Sequence, residues 1–133
     1  DEIQAAFLNV KLKYIKKDIV ARRKVANFYL ENIKNSEIIL PKLINEDGHV
    51  WHLFVIRTKN REKLQNYLKE KGVETLIHYP IPPHKQIAYN EYRKLSLPIT
   101  EMIHKEFLSL PLSAILEKKN IIKITETLNS YDL

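Results

Sequence analysis

The sequence has no cysteine and only two glycines among its 133 residues. Without cysteine, a disulfide framework, a thiolate metal site and a cysteine nucleophile are all excluded, and a cytoplasmic location is favoured. With Gly48 and Gly72 as the only glycines, the chain by itself is not expected to form a glycine-rich loop that cradles phosphate. No apolar run approaches the roughly 18 residues of a membrane span, and no signal peptide opens the sequence, so no membrane partner is expected.

Length and composition indicate one globular domain. A hydrophobic fraction of 44% beside 29% charged residues is typical of a chain that buries a core. The net charge of +6 raises the hypothesis of a nucleic-acid partner. However, many of the basic residues fall in the first helical segment, where a solvated face is the usual explanation, and no stacking aromatics or known module accompany them. We therefore expect no nucleic-acid partner.

Residues 1–33 contain neither glycine nor proline and predict one long helix. Asp1 is the expected N-cap of this helix. Apolar residues form two stripes about 140° apart around it, at roughly 100° per residue. The first stripe contains Ile3, Phe7, Val10, Tyr14, Ala21, Val25 and Phe28, and the second contains Leu8, Leu12, Ile15, Ile19, Ala26, Leu30 and Ile33.

Two stripes predict that this helix packs against two bodies, since a surface helix of a small domain usually carries one. Residues 1–33 are therefore predicted to be an inter-domain helix, and residues 34–133 a small C-terminal domain. A kinked helix folded back on its own domain is the alternative. The first residue is Asp1 and not Met, so we expect a piece of a longer protein. If the first stripe is left bare, the chain is expected to self-associate through residues 3 to 28 as a homodimer or larger oligomer.

Residues 34–133 alternate between predicted strands and predicted helices. Strands are predicted at 37–40, 50–58, 73–79 and within the LSLPL segment at 108–112. Helices are predicted at 60–72, at 117–131 and within 98–110, where the helix runs into LSLPL. This order predicts an α+β fold, in which a long N-terminal helix precedes a small, mainly antiparallel sheet covered by helices.

The histidines do not predict a metal site. His49 and His52 lie three residues apart on or beside a strand and so point to opposite faces. His78 and His84 lack a carboxylate or cysteine at ligand spacing. The sequence also contains no nucleophile elbow and no paired-carboxylate arrangement. No catalytic residue and no metal ligand is therefore predicted within this chain.

The segment TLIHYPIPPHKQI, at 75–87, is the most unusual stretch because it holds three of the six prolines. Prolines fix φ and push the preceding residues into extended geometry, so the chain leaves the predicted strand along a rigid path. Closing a sheet edge is one explanation for such a loop. The other is a binding site, because His78, Tyr79 and His84 are polar groups on a stiff support.

Five segments together resemble one family. DEIQAAFLNVKLKYI, RRKVANFYLENI, VWHLFVIRT, TLIHYPIPPHKQIAY and FLSLPLS occur in the order found in the C-terminal third of DegT/DnrJ/StrS-type sugar aminotransferases. The resemblance implies the small C-terminal domain of a fold-type I, pyridoxal-phosphate-dependent homodimer. Such enzymes move an amino group from glutamate to a nucleotide-linked keto-sugar, commonly for lipopolysaccharide or antibiotic sugars. The HYPIPPHKQ segment is most similar to members acting on dTDP-linked 3-keto-6-deoxyhexoses.

The resemblance also implies what this chain lacks. The Schiff-base lysine and most cofactor ligands of the family lie upstream of DEIQAA, and none of the 17 lysines here matches the lysine motif. The chain alone is therefore expected to bind no pyridoxal phosphate and to be inactive. By the resemblance, His78 and Tyr79 contact the substrate, and His84 is a further substrate-binding candidate. Arg57, at the end of the predicted central strand, is another candidate because its guanidinium can pair with a carboxylate; a plain surface arginine is the alternative. A stand-alone interaction domain that docks through its first helix is the alternative function.

Overall fold

The structure, a computed structural model, describes residues 1–45 and 48–132. The elements in chain order are α1 (Glu2–Leu12), α2 (Ile15–Asn32), β1 (Phe54–Arg57), α3 (Arg61–Glu70), α4 (Pro98–Glu106), β2 (Phe107–Leu110) and α5 (Lys118–Asn129). Two short 3₁₀ helices, Pro83–Lys85 and Ile87–Tyr92, lie between α3 and α4. The predicted α+β class is confirmed. Within the described ranges, no helix is both long and apolar enough to span a bilayer.

The first 33 residues form two helices, so the prediction of one uninterrupted helix is wrong. α1 ends at Leu12 and α2 begins at Ile15. The amide groups of Lys13 and Tyr14 bond to carbonyls only three residues earlier, at 3.2 and 3.0 Å. This tightening of the last turn interrupts the helix without glycine or proline. Asp1 caps α1 as predicted, because its Oδ1 accepts from the Ile3 amide at 2.9 Å.

The two helices differ in how they pack. α1 has no buried residue, and both of its apolar stripes are exposed. The second half of α2 packs on the core and buries Val25, Ala26 and Tyr29. The Tyr29 ring meets Phe54 edge-on at 5.1 Å, and its hydroxyl donates to the Pro111 carbonyl at 2.9 Å. Only the C-terminal part of the predicted long helix is therefore anchored to the rest of the described chain.

The sheet is antiparallel, as predicted, but smaller than predicted. β1 pairs with β2 from Phe54 opposite Leu110 to Arg57 opposite Phe107. The strands predicted at 37–40 and 73–79 are reduced to single bridges, Ile39 with Arg57 and Leu76 with Ser109.

The strand predicted at 50–58 shortens because Trp51 has φ of 50°, in the left-handed region that bulky residues rarely adopt. Three contacts hold Trp51 there. Its ring stacks on Phe54 at 5.3 Å, its amide donates to His49 Nδ1 at 2.9 Å, and its carbonyl accepts from Arg22 at 3.3 Å.

The core lies between the sheet and the amphipathic faces of α2, α3 and α5. α3 contributes Leu64 and Leu68, both fully buried, and α5 contributes Ile121, Ile124 and Leu128. Gly72 follows α3 with φ of 74°, the left-handed conformation that commonly ends a helix and that glycine adopts without a Cβ penalty. This core holds β1 and β2, and therefore the start of the proline-rich loop, in place.

Candidate functional site

The proline-rich loop leaves the sheet beside β2. Leu76 exchanges two backbone hydrogen bonds with Ser109, at 3.2 and 2.8 Å. Two residues later, Nδ1 of His78 lies 3.0 Å from Oγ of the same serine, which is itself buried. His78 is thus fixed against the sheet edge by a buried side chain.

Tyr79 projects outward from this anchor. Its side chain is 70% exposed, and its ring meets the His78 ring edge-on with centroids 5.8 Å apart. The peptide bond between the two residues is cis. The carbonyl of Tyr79 accepts from Nδ1 of His104 at 2.8 Å, whereas its hydroxyl has no partner within the described residues. The backbone of Tyr79 is therefore held while its phenol faces solvent.

A groove of about 440 Å³ lies beside His78. Ile39, Val55, Ile103 and Phe107 give it apolar walls, and Lys42, Arg57 and His78 contribute its polar groups. Two of the three guanidinium nitrogens of Arg57 are already engaged, because Nε and Nη2 donate to Oε2 of Glu106 at 3.1 and 2.7 Å. The structure thus brings Arg57 and His78 to one groove, with Arg57 engaged in an ion pair.

His84 lies elsewhere and is buried, with only 6% of its surface exposed. Its Nε2 is 3.0 Å from Oε1 of Glu101, which also accepts from the Leu97 amide at 3.2 Å and lies 3.6 Å from Lys85 Nζ. The hydrogen bond from His84, followed by the Leu97 amide, lowers the pKa of Glu101 from 4.5 to about 2. Glu101 is therefore ionised at neutral pH, and His84 faces it instead of solvent.

Three residues around the loop were missed in the sequence. Ser109, Glu101 and His104 contact His78, His84 and Tyr79 respectively. Glu101 and His104 lie three apart on the helix predicted to start near Pro98, so they share one face, and that spacing was the available signal. Ser109 lay in a strand segment whose partner the sequence did not identify.

The lysines do not fit a covalently held pyridoxal phosphate. None of the 17 is buried, and Lys85 is the only one that is even half-buried. Its Nζ donates to the carbonyls of Arg93 and Leu95 at 3.0 and 2.9 Å. A Schiff-base lysine needs a desolvated or cation-flanked environment that lowers its pKa. No lysine side chain of this chain lies in a buried environment. In the described parts of the chain, no three metal-ligating side chains come together.

Comparison with known proteins gives a consistent family signal. The model of the DegT/DnrJ/EryC1/StrS aminotransferase family matches residues 1–129. The chain is 50% identical over 131 residues to a dTDP-3-amino-3,6-dideoxy-alpha-D-galactopyranose transaminase of Aneurinibacillus thermoaerophilus, covering 98% of this chain and 36% of the relative. It is 33% identical to a dTDP-3-amino-3,4,6-trideoxy-alpha-D-glucose transaminase of Streptomyces venezuelae, covering 98% and 35% respectively.

Solved structures agree with this similarity. DesV of S. venezuelae, determined in complex with a ketimine intermediate, superposes with a TM-score of 0.91 at 33% identity, over 97% of this chain and 36% of that one. A DegT DnrJ EryC1 StrS aminotransferase from Brucella abortus superposes with a TM-score of 0.87 at 32% identity, over 96% and 35%. The chain therefore spans about a third of the length of the relatives it matches.

Proposed function

This chain belongs to the DegT/DnrJ/EryC1/StrS aminotransferase family, and we propose that it is the C-terminal part of a pyridoxal-phosphate-dependent nucleotide-sugar aminotransferase. The observation that carries the proposal is the 50% identity over nearly the whole chain to a transaminase named for a dTDP-linked 3-amino-3,6-dideoxysugar. The proposed substrate is accordingly a dTDP-linked 3-keto-6-deoxyhexose, with glutamate as amino donor. The proposed setting is cytoplasmic synthesis of amino sugars for a surface polysaccharide.

The proposed substrate contacts come from the start of the proline-rich loop. His78 is held by Ser109, and Tyr79 presents an exposed phenol from a backbone that His104 holds. Groups fixed before binding lose little conformational entropy when a ligand arrives. This arrangement supports His78 and Tyr79 as donors or acceptors for the sugar nucleotide.

Arg57 and His84 have supporting places in this proposal. Arg57 lines the groove beside His78, and its Nη1 has no partner within the described residues. Its pairing with Glu106 keeps the guanidinium in a fixed orientation. His84 is buried, so we assign it to holding the loop that presents the two contact residues.

The chemistry at the keto carbon would depend on the rest of the longer enzyme. Pyridoxal phosphate supplies the electron sink for amino-group transfer in this family, and the exposed lysines of this chain do not fit its attachment. We therefore propose that this chain alone is inactive and contributes substrate contacts.

We also propose that α1 is an association surface. Ile3, Phe7, Leu8, Val10 and Leu12 are each more than half exposed, and α1 buries none of its residues. In the isolated chain, a second copy is the proposed occupant, through antiparallel α1 helices about a two-fold axis. Docking on an unrelated partner is the alternative function, and the same exposed helix favours it.

The site assignment is tested in the full-length enzyme with His78→Ala and Tyr79→Phe. Both variants should lower kcat/KM for the dTDP-keto-sugar, by about two- to tenfold for each lost hydrogen bond. Attachment of the cofactor, followed by its absorbance, should remain, because the lysine lies elsewhere. Tyr89→Phe is the matched control, since Tyr89 lies just after the loop, in the 3₁₀ helix Ile87–Tyr92, and is 47% exposed. Unchanged kinetics in both test variants would show that the loop is only structural.

A further inference from the structure

One face of α4 holds both ends of the segment 79–84. Nδ1 of His104 lies 2.8 Å from the carbonyl of Tyr79, and Oε1 of Glu101 lies 3.0 Å from Nε2 of His84. Glu101 and His104 are three residues apart, so one helical turn separates the two contacts. The segment between them carries Pro80, Pro82 and Pro83.

The chemistry of the partners determines where the protons lie. A carbonyl oxygen only accepts hydrogen bonds, so Nδ1 of His104 must carry the proton that it donates to Tyr79. An ionised carboxylate also only accepts, so Nε2 of His84 donates to Glu101. Both bonds persist whether each imidazole is neutral or protonated.

α4 is itself fixed to the sheet and to α3. Nη1 of Arg61 donates to the His104 carbonyl at 2.7 Å. At the end of α4, Glu106 pairs with Arg57 of β1, and its carbonyl accepts from the Thr58 amide at 3.0 Å. The helix therefore provides a rigid reference, tied to the same strand that borders the groove.

We propose that Glu101 and His104 are positioning residues, which set where Tyr79 and the proline segment after it stand relative to the groove, while Ser109 holds His78. The inference rests on the proposed function, since it assumes that this segment contacts the sugar nucleotide. Prolines stiffen the loop along its own path, but they have no amide proton to donate to the domain, and the backbone bonds that Pro82 and Pro83 accept from Lys85 and Gln86 stay within the loop. The two hydrogen bonds from α4 supply that placement.

Paired variants separate the hydrogen bonds from the packing. His104→Phe keeps a ring beside Phe107, which His104 meets at 5.2 Å, but removes the donor. His104→Asn restores a donor near the position of Nδ1. Glu101→Ala removes the acceptor, and Glu101→Gln retains an uncharged one. Lys105→Ala, an exposed change on the same helix, is the control.

The first readout is hydrogen exchange of this chain at the Lys85 and Gln86 amides. These donate within the loop to Pro82 and Pro83, at 2.9 and 3.1 Å, and so report on its order. His104→Phe and Glu101→Ala should each speed their exchange by about three- to tenfold. His104→Asn and Glu101→Gln should recover part of this protection, and Lys105→Ala should leave it unchanged. Unchanged exchange in both test variants would overturn the inference.

The second readout is the kinetics of the full-length enzyme. His104→Phe and Glu101→Ala should raise KM for the sugar nucleotide several-fold more than they change kcat. If exchange quickens and KM stays unchanged while His78→Ala impairs sugar use, the positioning role is refuted. If KM is unchanged in all three variants, the proposed substrate site itself fails.

Discussion

Replacing Phe7 by lysine should dissociate the dimer that we propose for the isolated chain. Phe7 is 67% exposed on α1, and the structure gives it no buried contact. In a two-fold dimer through α1, each copy would bury this ring against the partner helix. The charged ammonium of lysine would instead have to lose water in an apolar contact.

The size of the effect follows from the exposed area. A phenylalanine presents about 200 Å², so an exposure of 67% leaves about 130 Å² of ring bare. At about 25 cal/mol per Å², its burial contributes about 3 kcal/mol per copy and about 6 kcal/mol per dimer. Association costs at least about 4 kcal/mol, so the two Phe7 rings alone leave about 2 kcal/mol. A micromolar Kd needs about 8 kcal/mol, so burial of Ile3 and Val10, at 67% and 54% exposure, is needed as well. If the lysine stem retains about a third of the burial, the lost ~4 kcal/mol raises Kd about a thousandfold.

Sedimentation equilibrium at micromolar concentration measures this change directly. The wild-type chain should be a dimer or larger, and Phe7→Lys a monomer. Asn9→Lys is the matched control, because it makes the same charge change on α1 away from both apolar stripes. Val10→Lys should behave like Phe7→Lys, and Leu8→Lys tests the second stripe. A wild-type monomer at these concentrations, or a Phe7→Lys dimer, would refute the argument.

Three further predictions concern stability and the cofactor. Tyr29→Phe should lower the free energy of unfolding by about 0.5–1.5 kcal/mol, because the buried Tyr29 hydroxyl donates to the Pro111 carbonyl. Tyr14→Phe, at a residue with 58% exposure, should leave Tm unchanged, and equal effects of the two would contradict this assignment. Since the pKa of Glu101 falls from 4.5 to about 2 in the folded chain, its ionised form stabilises the fold above pH 4.5, and this contribution is lost as the pH falls towards 2. The Tm difference between wild type and Glu101→Gln should therefore be constant near neutrality and shrink below about pH 4.5; a difference that widens in acid would show that the ionised carboxylate does not stabilise the fold. Added pyridoxal phosphate should give no saturable, stoichiometric absorbance change on this chain, because no lysine is buried, and a one-to-one band would refute the proposal that cofactor attachment lies outside it.

Helices that local signals specify were predictable from the sequence. α3 and α5 bury the apolar residues that their periodicity selected, such as Leu64, Leu68 and Leu128. α4 begins at Pro98, where a missing amide proton costs nothing because the first helical amides have no intrahelical acceptor. Gly72 adopts the positive φ expected after a helix. Each of these features depends on residues within one or two turns of each other.

Strand lengths were not predictable, because a strand exists only as far as its partner extends. The apolar run at 50–58 favours β structure by composition, yet β1 occupies only Phe54–Arg57. The reason lies at Trp51, whose left-handed backbone is held in part by Arg22, 29 residues earlier. Composition also could not show that α1 would stop at Leu12, since that break arises in hydrogen-bond geometry and not in a breaker residue.

Only part of the candidate site could be predicted from the sequence, for the same physical reason. Its stiffness is local, because each proline restricts φ at its own position and the conformation of the residue before it. Its placement is not local: the contacts that hold the loop join His84 to Glu101 across 17 positions and Tyr79 to His104 across 25. Polar pairs at such separations follow no hydrophobic period, so they become visible only when the fold brings α4 to the loop. A stiff loop with distant supports also divides mutational effects: changes at the prolines should alter the shape of the loop, whereas changes on α4 should alter where an intact loop lies.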